Sequence, residues 1–240
     1  MRKWERRMKI LITDSEGTVG QVVKKALLEH ELILIDKKLG IDILKDDLSG
    51  YFKGANLAIH LAANPQPYID FEKAEENVLM MWNVLNASVS GEVKRIIFSS
   101  SIHVYDFDNL YREGKKITKD TPLKPNVKEW KDGTGRGMYS ISKIMCENLL
   151  KNYSEGFGIK YLNLRLGGVS SEDKPYTNYP FDFSTWLSHE DLIEIVKRAI
   201  NFEENADIVC VSDNSEKFID LSHLEKVLGY LPKSNSEDYM

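Results

Sequence analysis

Tyr139 and Lys143 stand four residues apart, a spacing that places both side chains on one face of a helix. A free phenol releases its proton only near pH 10, but a neighbouring ammonium group stabilises the phenolate form. The pair could therefore pass a proton to or from a substrate hydroxyl as a general acid and base. Because Tyr-x-x-x-Lys also arises by chance, the pair needs support from elsewhere in the chain.

Three serines at residues 99–101 close a strand-like apolar stretch upstream of this pair. A hydroxyl at the end of a buried strand could hold the substrate oxygen whose proton Tyr139 moves, and Ser101 is the candidate. The alternative is a strand end at which serines only cap the backbone. Strand-end serines, a long loop and then Tyr-x-x-x-Lys at the start of a helix together predict one catalytic site.

A glycine-bearing turn follows the first apolar stretch, in the order Thr13-Asp14-Ser15-Glu16-Gly17-Thr18-Val19-Gly20. Such a turn lets the backbone approach a pyrophosphate, whose charge lies at the N-terminus of the next helix. Gly17 and Gly20 have the spacing for this approach, although tight packing explains two glycines about equally well. Asp14 stands where a first glycine is expected, and a carboxylate there repels a pyrophosphate unless it points away.

An acidic residue, Asp36, closes the second apolar stretch. At roughly twenty residues past the glycine turn, an acidic side chain binds a ribose 2′-hydroxyl and disfavours a 2′-phosphate, which favours NAD over NADP. The alternative is a solvated strand end, and the neighbouring Lys37 and Lys38 weaken the charge argument. Asp42 and Ile43, in the next turn, are candidates to reach the adenine.

Length, charge and cysteine content exclude several classes of protein. The chain of 240 residues can bury one core, and its net charge of −5 gives no basic footprint for nucleic acid. No apolar run approaches the roughly eighteen residues of a membrane span, and the basic start lacks the apolar stretch of a signal peptide. Cys146 and Cys210 have no metal-ligand spacing, so we expect two reduced thiols, no metal and a cytoplasmic location.

Apolar stretches of strand length alternate with longer amphipathic segments, which predicts an α/β fold with helices on both faces of a parallel, doubly wound sheet. The predicted strands are residues 9–13, 32–36, 57–62, 95–100, 160–166 and 207–211, and the predicted helices are 18–30, 71–90 and 139–154. The second strand, continuous in Leu and Ile, is predicted to be buried on both faces. Irregular stretches are predicted at 106–137 and 170–184.

Ligands of such sheets bind beyond the carboxyl ends of the strands, and the polar candidates lie there. These are Thr13, Asp36 and the residues at 62–64, 99–101 and 167–168. The sequence therefore predicts one Rossmann-type domain over 1–240, in which 170–240 contributes most of a small substrate-binding region.

The order of these features resembles the extended short-chain dehydrogenase/reductase superfamily, the NAD-dependent epimerase/dehydratases. His60-Leu61-Ala62-Ala63, Asn77 and Ser101-Ile102-His103-Val104-Tyr105 add to the resemblance. It implies catalysis by Ser101, Tyr139 and Lys143, and a homodimer formed through the helices at 71–90 and 139–154. It also implies a set of cofactor residues: Gly17, Thr18, Val19, Gly20, Asp36, Asp42, Ile43, Leu61, Ala62, Ala63, Asn77, Tyr139 and Lys143.

The C-terminal third is similar to the uronate dehydrogenases and their archaeal hexose and hexose-phosphate dehydrogenase relatives. The similarity lies at 184–192, 211–214, 228–232 and 236–239. It implies oxidation of the C1 hydroxyl of a cyclic sugar to a lactone, with substrate contacts from Ser101, His103, Tyr139 and Phe181. Ile102 replaces an asparagine and Phe181 an arginine of the uronate dehydrogenases, and loss of a bidentate carboxylate partner disfavours a uronate.

Two alternatives stay open. One is a sugar-nucleotide epimerase or dehydratase with tightly held NAD, although the chain is short after Gly168 for a nucleotide-sugar domain. The other is a non-catalytic NAD-binding regulatory protein. The observation that suggests it is Asp14 in the phosphate loop.

Overall fold

A computed structural model describes residues 7–66, 68–125, 136–176 and 181–239. The strands are β1 (Lys9–Thr13), β2 (Glu31–Ile35), β3 (Leu57–His60), β4 (Arg95–Ser101), β5 (Lys160–Leu166) and β6 (Ala206–Cys210). The helices are α1 (Thr18–Ala26), α2 (Ser49–Phe52), α3 (Phe71–Ser90), α4 (Phe107–Arg112), α5 (Arg136–Phe157), α6 (Asp182–Thr185), α7 (His189–Ala199) and α8 (Ser222–Leu228).

The strands form one parallel sheet in the order β2-β1-β3-β4-β5-β6. The chain enters at β1, moves to β2 at one edge and then returns past β1 to β3. The crevice beyond the carboxyl ends of β1 and β3 is therefore the point at which the strand order reverses, where ligands of open α/β sheets bind. The predicted fold class and all six predicted strands are confirmed, with ends shifted by up to two residues.

Side chains alternate between two cores because successive strand residues point to opposite faces of the sheet. Ile10 and Ile12 pack in a cluster with residues of α1, α7 and α8. Leu11 packs in a second cluster with residues of α3 and α5, among them Met81 and Leu150. Helices thus cover both faces of the sheet, as the sequence predicted.

The prediction that the second strand is buried on both faces is wrong. β2 lies at the edge of the sheet, where Glu31 is exposed, Leu32, Ile33 and Leu34 are half-buried and only Ile35 is buried. A run of Leu and Ile indicates that both faces of a strand carry apolar side chains. It does not indicate whether helices cover those faces along the whole strand.

The predicted irregular stretches contain helices. α4 lies within 106–137, α6 begins within 170–184 and ends one residue beyond it, and α5 begins at Arg136 rather than at residue 139. The helix predicted for 18–30 ends earlier, at Ala26. Residues 126–135 and 177–180 of these stretches lie outside the described residues.

Cys146 and Cys210 are both free and buried. Burial raises the pKa of the Cys146 thiol to about 12, so the thiol is protonated at neutral pH. Among the helices of the described part of the chain, none has the length and apolar character needed to cross a membrane.

Candidate active site

The turn between β1 and α1 requires glycine at position 20, whereas at position 17 a Cβ atom would meet only the side chain of Asp14. A Cβ atom on Gly20 would lie 2.2 Å from the backbone oxygen of Asp14 and 2.8 Å from Cα of Ser15, so a side chain would push α1 off the loop. A Cβ atom on Gly17 would lie 2.3 Å from Oδ2 of Asp14. Thr18 and Val19 open α1, whose first backbone N–H groups lack acceptors within the helix. Such a helix end can hold an anionic group.

Asp14 occupies the position of the expected first glycine. Its backbone is left-handed, with φ of 53°, and its carboxylate lies against Gly17. Burial and the negative charge of Asp36 raise the pKa of Asp14 to about 6, while the charges of Lys38 and Lys143 act in the opposite sense. Within the described residues, no hydrogen bond favours its charged form. The phosphate loop therefore contains a carboxyl group that titrates close to neutral pH.

Thr13 joins the carboxyl ends of β1 and β3. Its Oγ1 atom accepts hydrogen bonds from the N–H groups of Leu61 and Ala62, at 3.0 and 3.1 Å, and lies 2.9 Å from Nδ1 of His60. Burial, followed by the charge of Lys143, lowers the pKa of His60 to about 3, so its ring is neutral. These contacts hold Leu61 and Ala62, two predicted cofactor residues, beside the phosphate loop.

An open cavity of about 250 Å³ lies at the point where the strand order reverses. It is lined by Asp14, Asp36, Lys37, Lys38, Ile41, Ile43, Ala62, Ala63, Asn64, Glu76 and Met80. Asp36 is held from two sides, because its Oδ2 accepts from the N–H of Glu16 at 2.9 Å and its Oδ1 from the N–H of Lys38 at 2.8 Å. The structure thus brings Asp36, Ile43, Ala62 and Ala63 together around one cavity.

Four of the thirteen predicted cofactor residues line this cavity, and Asp42 and Asn77 are among the nine that do not. Asp42 uses its Oδ1 to accept from the N–H of Leu44 at 3.0 Å, and its Oδ2 lies 3.5 Å from Nζ of Lys37. It stabilises its own turn, a common role for aspartate. Asn77 is buried, and its Oδ1 accepts from the N–H of Asn64 at 2.6 Å. It positions the loop that borders the cavity.

Sequence reasoning did not identify Glu76 and Met80, which line the cavity from α3. Their spacing of four residues puts them on one face of the helix, and this was the available signal. It did not suffice, because the register of α3 against the sheet depends on packing from distant parts of the chain.

Ser101, Tyr139 and Lys143 are all buried at the junction of β4 and α5. Lys143 is 2% exposed, and its Nζ donates to the backbone oxygen of Ser99 at 2.7 Å. The same Nζ lies 5.7 Å from the ring centroid of Tyr139. Ser101 ends β4, and its Oγ accepts from the N–H of His103 at 3.2 Å. Lys143 therefore lies beside Tyr139, and His103 contacts both Ser101 and the ring of Tyr139.

Aromatic side chains continue from Tyr139 toward the C-terminal part of the chain. The ring of His103 packs edge-on against Tyr139 at 5.8 Å and against Phe107 at 5.0 Å. Phe181, the predicted substrate residue, packs edge-on against Phe107 at 4.8 Å and contacts Tyr111. His103 and Phe181 thus belong to one aromatic wall that begins at the catalytic tyrosine candidate.

A buried ion pair lies behind the serines of β4. Glu147 is one helical turn after Lys143 on α5, and its carboxylate accepts two hydrogen bonds from the guanidinium of Arg165, at 3.0 and 2.8 Å. Ser100 donates to Oε1 of Glu147 at 2.6 Å, and Nη1 of Arg165 donates to the hydroxyl of Tyr105 at 2.6 Å. This network, of Ser100, Tyr105, Glu147 and Arg165, connects β4, β5 and α5 directly behind the catalytic candidates.

The residues around the crevice fit a dinucleotide, with one exception. A turn with no room for a Cβ atom at Gly20, a helix N-terminus, an acidic residue at the end of β2 and an open cavity lie together. Asp14 is the exception, because its carboxylate occupies the space beside Gly17 that a glycine would leave free.

A sequence profile of the NAD dependent epimerase/dehydratase family matches residues 10–205. The L-arabinose 1-dehydrogenase (NAD(P)(+)) of Haloferax volcanii is 25% identical, over 95% of this chain and 97% of its own length. The uronate dehydrogenase of Pseudomonas putida is 26% identical, over 96% of this chain and 86% of its own length.

Solved structures agree with the fold. A uronate dehydrogenase variant from Agrobacterium tumefaciens, crystallised with NAD, superposes with a TM-score of 0.79 at 24% identity, over 98% of this chain and 88% of that chain. A UDP-N-acetylglucosamine 4-epimerase from Bacillus cereus superposes with a TM-score of 0.74 at 20% identity, over 95% of each chain.

Proposed function

Because the chain belongs to the NAD-dependent epimerase/dehydratase family, we propose that it oxidises a ring hydroxyl of a sugar, at C1, to a lactone. The family assignment confirms the predictions of an NAD-dependent enzyme with a Rossmann-type fold. The observation that carries the finer proposal is the junction of β4 and α5, at which Ser101, Tyr139 and Lys143 are all buried.

The chemistry that we assign to the chain's residues is proton transfer and positioning. Ser101 and Tyr139 hold the sugar hydroxyl, and Tyr139 accepts its proton as the C1–H bond breaks. The ammonium group of Lys143 is fixed beside the ring of Tyr139 by its hydrogen bond to the backbone of β4. NAD, when bound, supplies the hydride acceptor.

The cofactor residues in this proposal are those that border the crevice. The pyrophosphate would be held by the turn residues Gly17, Thr18, Val19 and Gly20. The adenosine ribose would be held by Asp36. The rest of the adenosine would be bordered by Ile43, Leu61, Ala62 and Ala63. Lys143 and Tyr139 border the nicotinamide ribose. Asp42 and Asn77 act indirectly in this proposal, because their side chains accept hydrogen bonds from the backbone of the chain itself.

The substrate class rests on the relatives and on the aromatic wall. Both curated relatives act, by their names, on sugars or sugar acids. His103 and Phe181 belong to the wall that starts at Tyr139, and an aromatic surface stacks on the apolar face of a sugar ring. Because Phe181 offers no charge for a carboxylate, we propose a neutral aldose rather than a uronate, bound mainly by residues of 170–240.

A sugar-nucleotide epimerase is the second candidate. The expectation that the chain is too short for a nucleotide-sugar domain does not separate the two, because the Bacillus cereus 4-epimerase superposes over 95% of its own length. The candidates differ in outcome, since an epimerase returns the hydride and shows no net reduction of NAD. A non-catalytic NAD-binding protein would show neither reaction, and it has no use for three buried polar groups at one junction.

The deciding experiment is a screen of free aldoses, phosphorylated aldoses, uronates and nucleotide sugars, followed by nicotinamide absorbance with NAD and NADP in parallel. We expect reduction of NAD with a neutral aldose and accumulation of a lactone. Interconversion of nucleotide sugars without net reduction would establish the epimerase instead. NAD binding without turnover of any class would leave the non-catalytic alternative.

We also propose that the protein acts as a cytoplasmic homodimer. The two helices α3 and α5 pack against each other and expose a stripe of large apolar side chains, among them Leu79, Trp82 and Met145. Each of these side chains is 45–49% exposed, which in a dimer would be covered by the partner.

A further inference from the structure

The proposed function gives no role to Asp14 in the crevice, and the inference that follows rests on that function. Its carboxylate lies beside Gly17, in the loop that approaches the pyrophosphate. Its left-handed backbone keeps the side chain in the loop, since Gly17 N donates to the backbone oxygen of Asp14 at 3.1 Å and closes the turn. An ionised Asp14 would face two phosphates at close range.

We propose that NAD binds together with a proton on Asp14, so that the phosphate loop couples cofactor affinity to pH. A neutral carboxyl group donates a hydrogen bond to a phosphate oxygen, whereas a carboxylate only repels it. The Asp14 carboxyl is thus a cofactor-binding group in its protonated form and a competitor of the cofactor in its ionised form.

The charges that face Asp14 come from several elements. Asp36, at the end of β2, is negative and favours the proton on Asp14, and Glu76 of α3 lines the same cavity. Lys38, which follows β2, and Lys143 of α5 are positive and oppose it. The Glu16 carboxylate, in the same loop, is engaged with Lys24 of α1. Lys37, also at the cavity, pairs with Asp42.

The sign of the pH dependence follows from these contacts. Burial and Asp36 place the pKa of Asp14 at about 6 in the free protein, and a bound pyrophosphate raises it further. At any pH between the pKa of Asp14 in the free protein and its pKa in the complex, the complex holds more protons than the free protein. Binding of NAD in this pH range therefore takes up protons. The dissociation constant for NAD therefore rises by up to about tenfold for each pH unit above pH 6.

The test is calorimetric titration of the full chain with NAD from pH 5.5 to pH 8.5. Each titration is made in two buffers of different ionisation enthalpy, so that proton uptake is measured directly. Wild-type protein is expected to bind NAD most tightly at the acidic end and to take up close to one proton near pH 8. Asp14→Asn keeps the shape of the side chain, and asparagine accepts a positive φ. Its affinity is expected to be nearly independent of pH and, at pH 8, about a hundredfold tighter than that of wild type.

Glu16→Gln is the matched control, because it removes a negative charge from the same loop at a side chain that pairs with Lys24. It is expected to keep the wild-type pH slope and proton uptake. Equal slopes for wild type and Asp14→Asn would overturn the proposal. So would a wild-type slope that disappears on addition of Mg²⁺, because a cation would then neutralise Asp14 in place of a proton. An absence of NAD binding at every pH and in both variants would instead refute the proposed function itself.

Discussion

Tyr139 is the residue on which the proposed chemistry depends. Removal of its hydroxyl in Tyr139→Phe leaves the ring contact with His103 in place and removes the proton acceptor. We expect turnover to fall by about 10²–10⁴-fold, the usual contribution of a general acid/base, while NAD affinity stays within a few fold of wild type. Tyr153→Phe is the control, because Tyr153 lies on the same helix and bonds to Asn86. A fully active Tyr139→Phe enzyme would exclude Tyr139 from the mechanism.

Asp14 also affects stability. Burial raises its pKa from 3.8 to about 6, so the folded chain holds the proton more tightly than the unfolded chain. Ionisation of Asp14 therefore lowers the free energy of unfolding. The full loss is present above pH 6, and none of it is present below pH 4. Allowing for solvent screening of a partly exposed group, the penalty at pH 7 is about 1–2 kcal/mol.

Asp14→Asn should consequently raise the free energy of unfolding at pH 7–8 by that amount, measured by urea denaturation without cofactor. The gain should shrink as the pH falls from 6 to 4, because wild-type Asp14 then becomes neutral as well. A variant that is less stable than wild type at pH 7 would show that the carboxylate makes favourable contacts in the loop.

At the scale of elements, β4, β5 and α5 are tied together by the pair of Glu147 and Arg165. Although burial opposes the charge of Arg165, its hydrogen bonds and attraction to Glu147 raise its pKa above the ordinary value. Such a pair contributes little to the free energy of unfolding compared with apolar packing in its place. Loss of one partner, however, leaves the other as an unpaired buried charge. This pair therefore fixes how β4 and α5 meet beside the proposed catalytic residues.

Glu147→Ala is expected to lower the free energy of unfolding by about 3 kcal/mol, since Arg165 is left with Asp207 at 3.3 Å as its remaining carboxylate partner. The double variant Glu147→Leu with Arg165→Met should recover most of this loss, which urea denaturation would measure. A single variant that loses less than about 1 kcal/mol would mean that water compensates Arg165.

At the scale of the molecule, the outer stripe of α3 and α5 predicts the homodimer. Trp82→Glu places a charge in the middle of that stripe, where its cost in a buried interface exceeds its cost in water. We expect light scattering after size exclusion to give twice the 27.5 kDa chain mass for wild type and one chain mass for the variant. Lys226→Glu, at an exposed position of α8 on the opposite face of the sheet, is the control. A monomeric wild-type protein would contradict the prediction.

The sequence alone determined the features that depend on neighbours along the chain. Strand-length apolar runs, the glycine turn and the spacing of Tyr139 and Lys143 are local patterns, and each was found at its predicted place in the fold. The position of Ser101 at the end of β4 also followed, because polar residues at the carboxyl end of a buried strand lie at the edge where ligands bind.

Only the tertiary structure decided the features that depend on strand order and helix register. It placed β2 at an edge of the sheet and brought Glu76 and Met80 to the cavity. It also directed the carboxylate of Asp42 to the backbone of its own turn. It paired Glu147 with Arg165 and brought the charges of Asp36 and Lys143 within electrostatic range of Asp14. The physical reason is that periodicity along a chain shows which face of an element is apolar, whereas the charge that another element brings to a residue depends on how the sheet and helices pack.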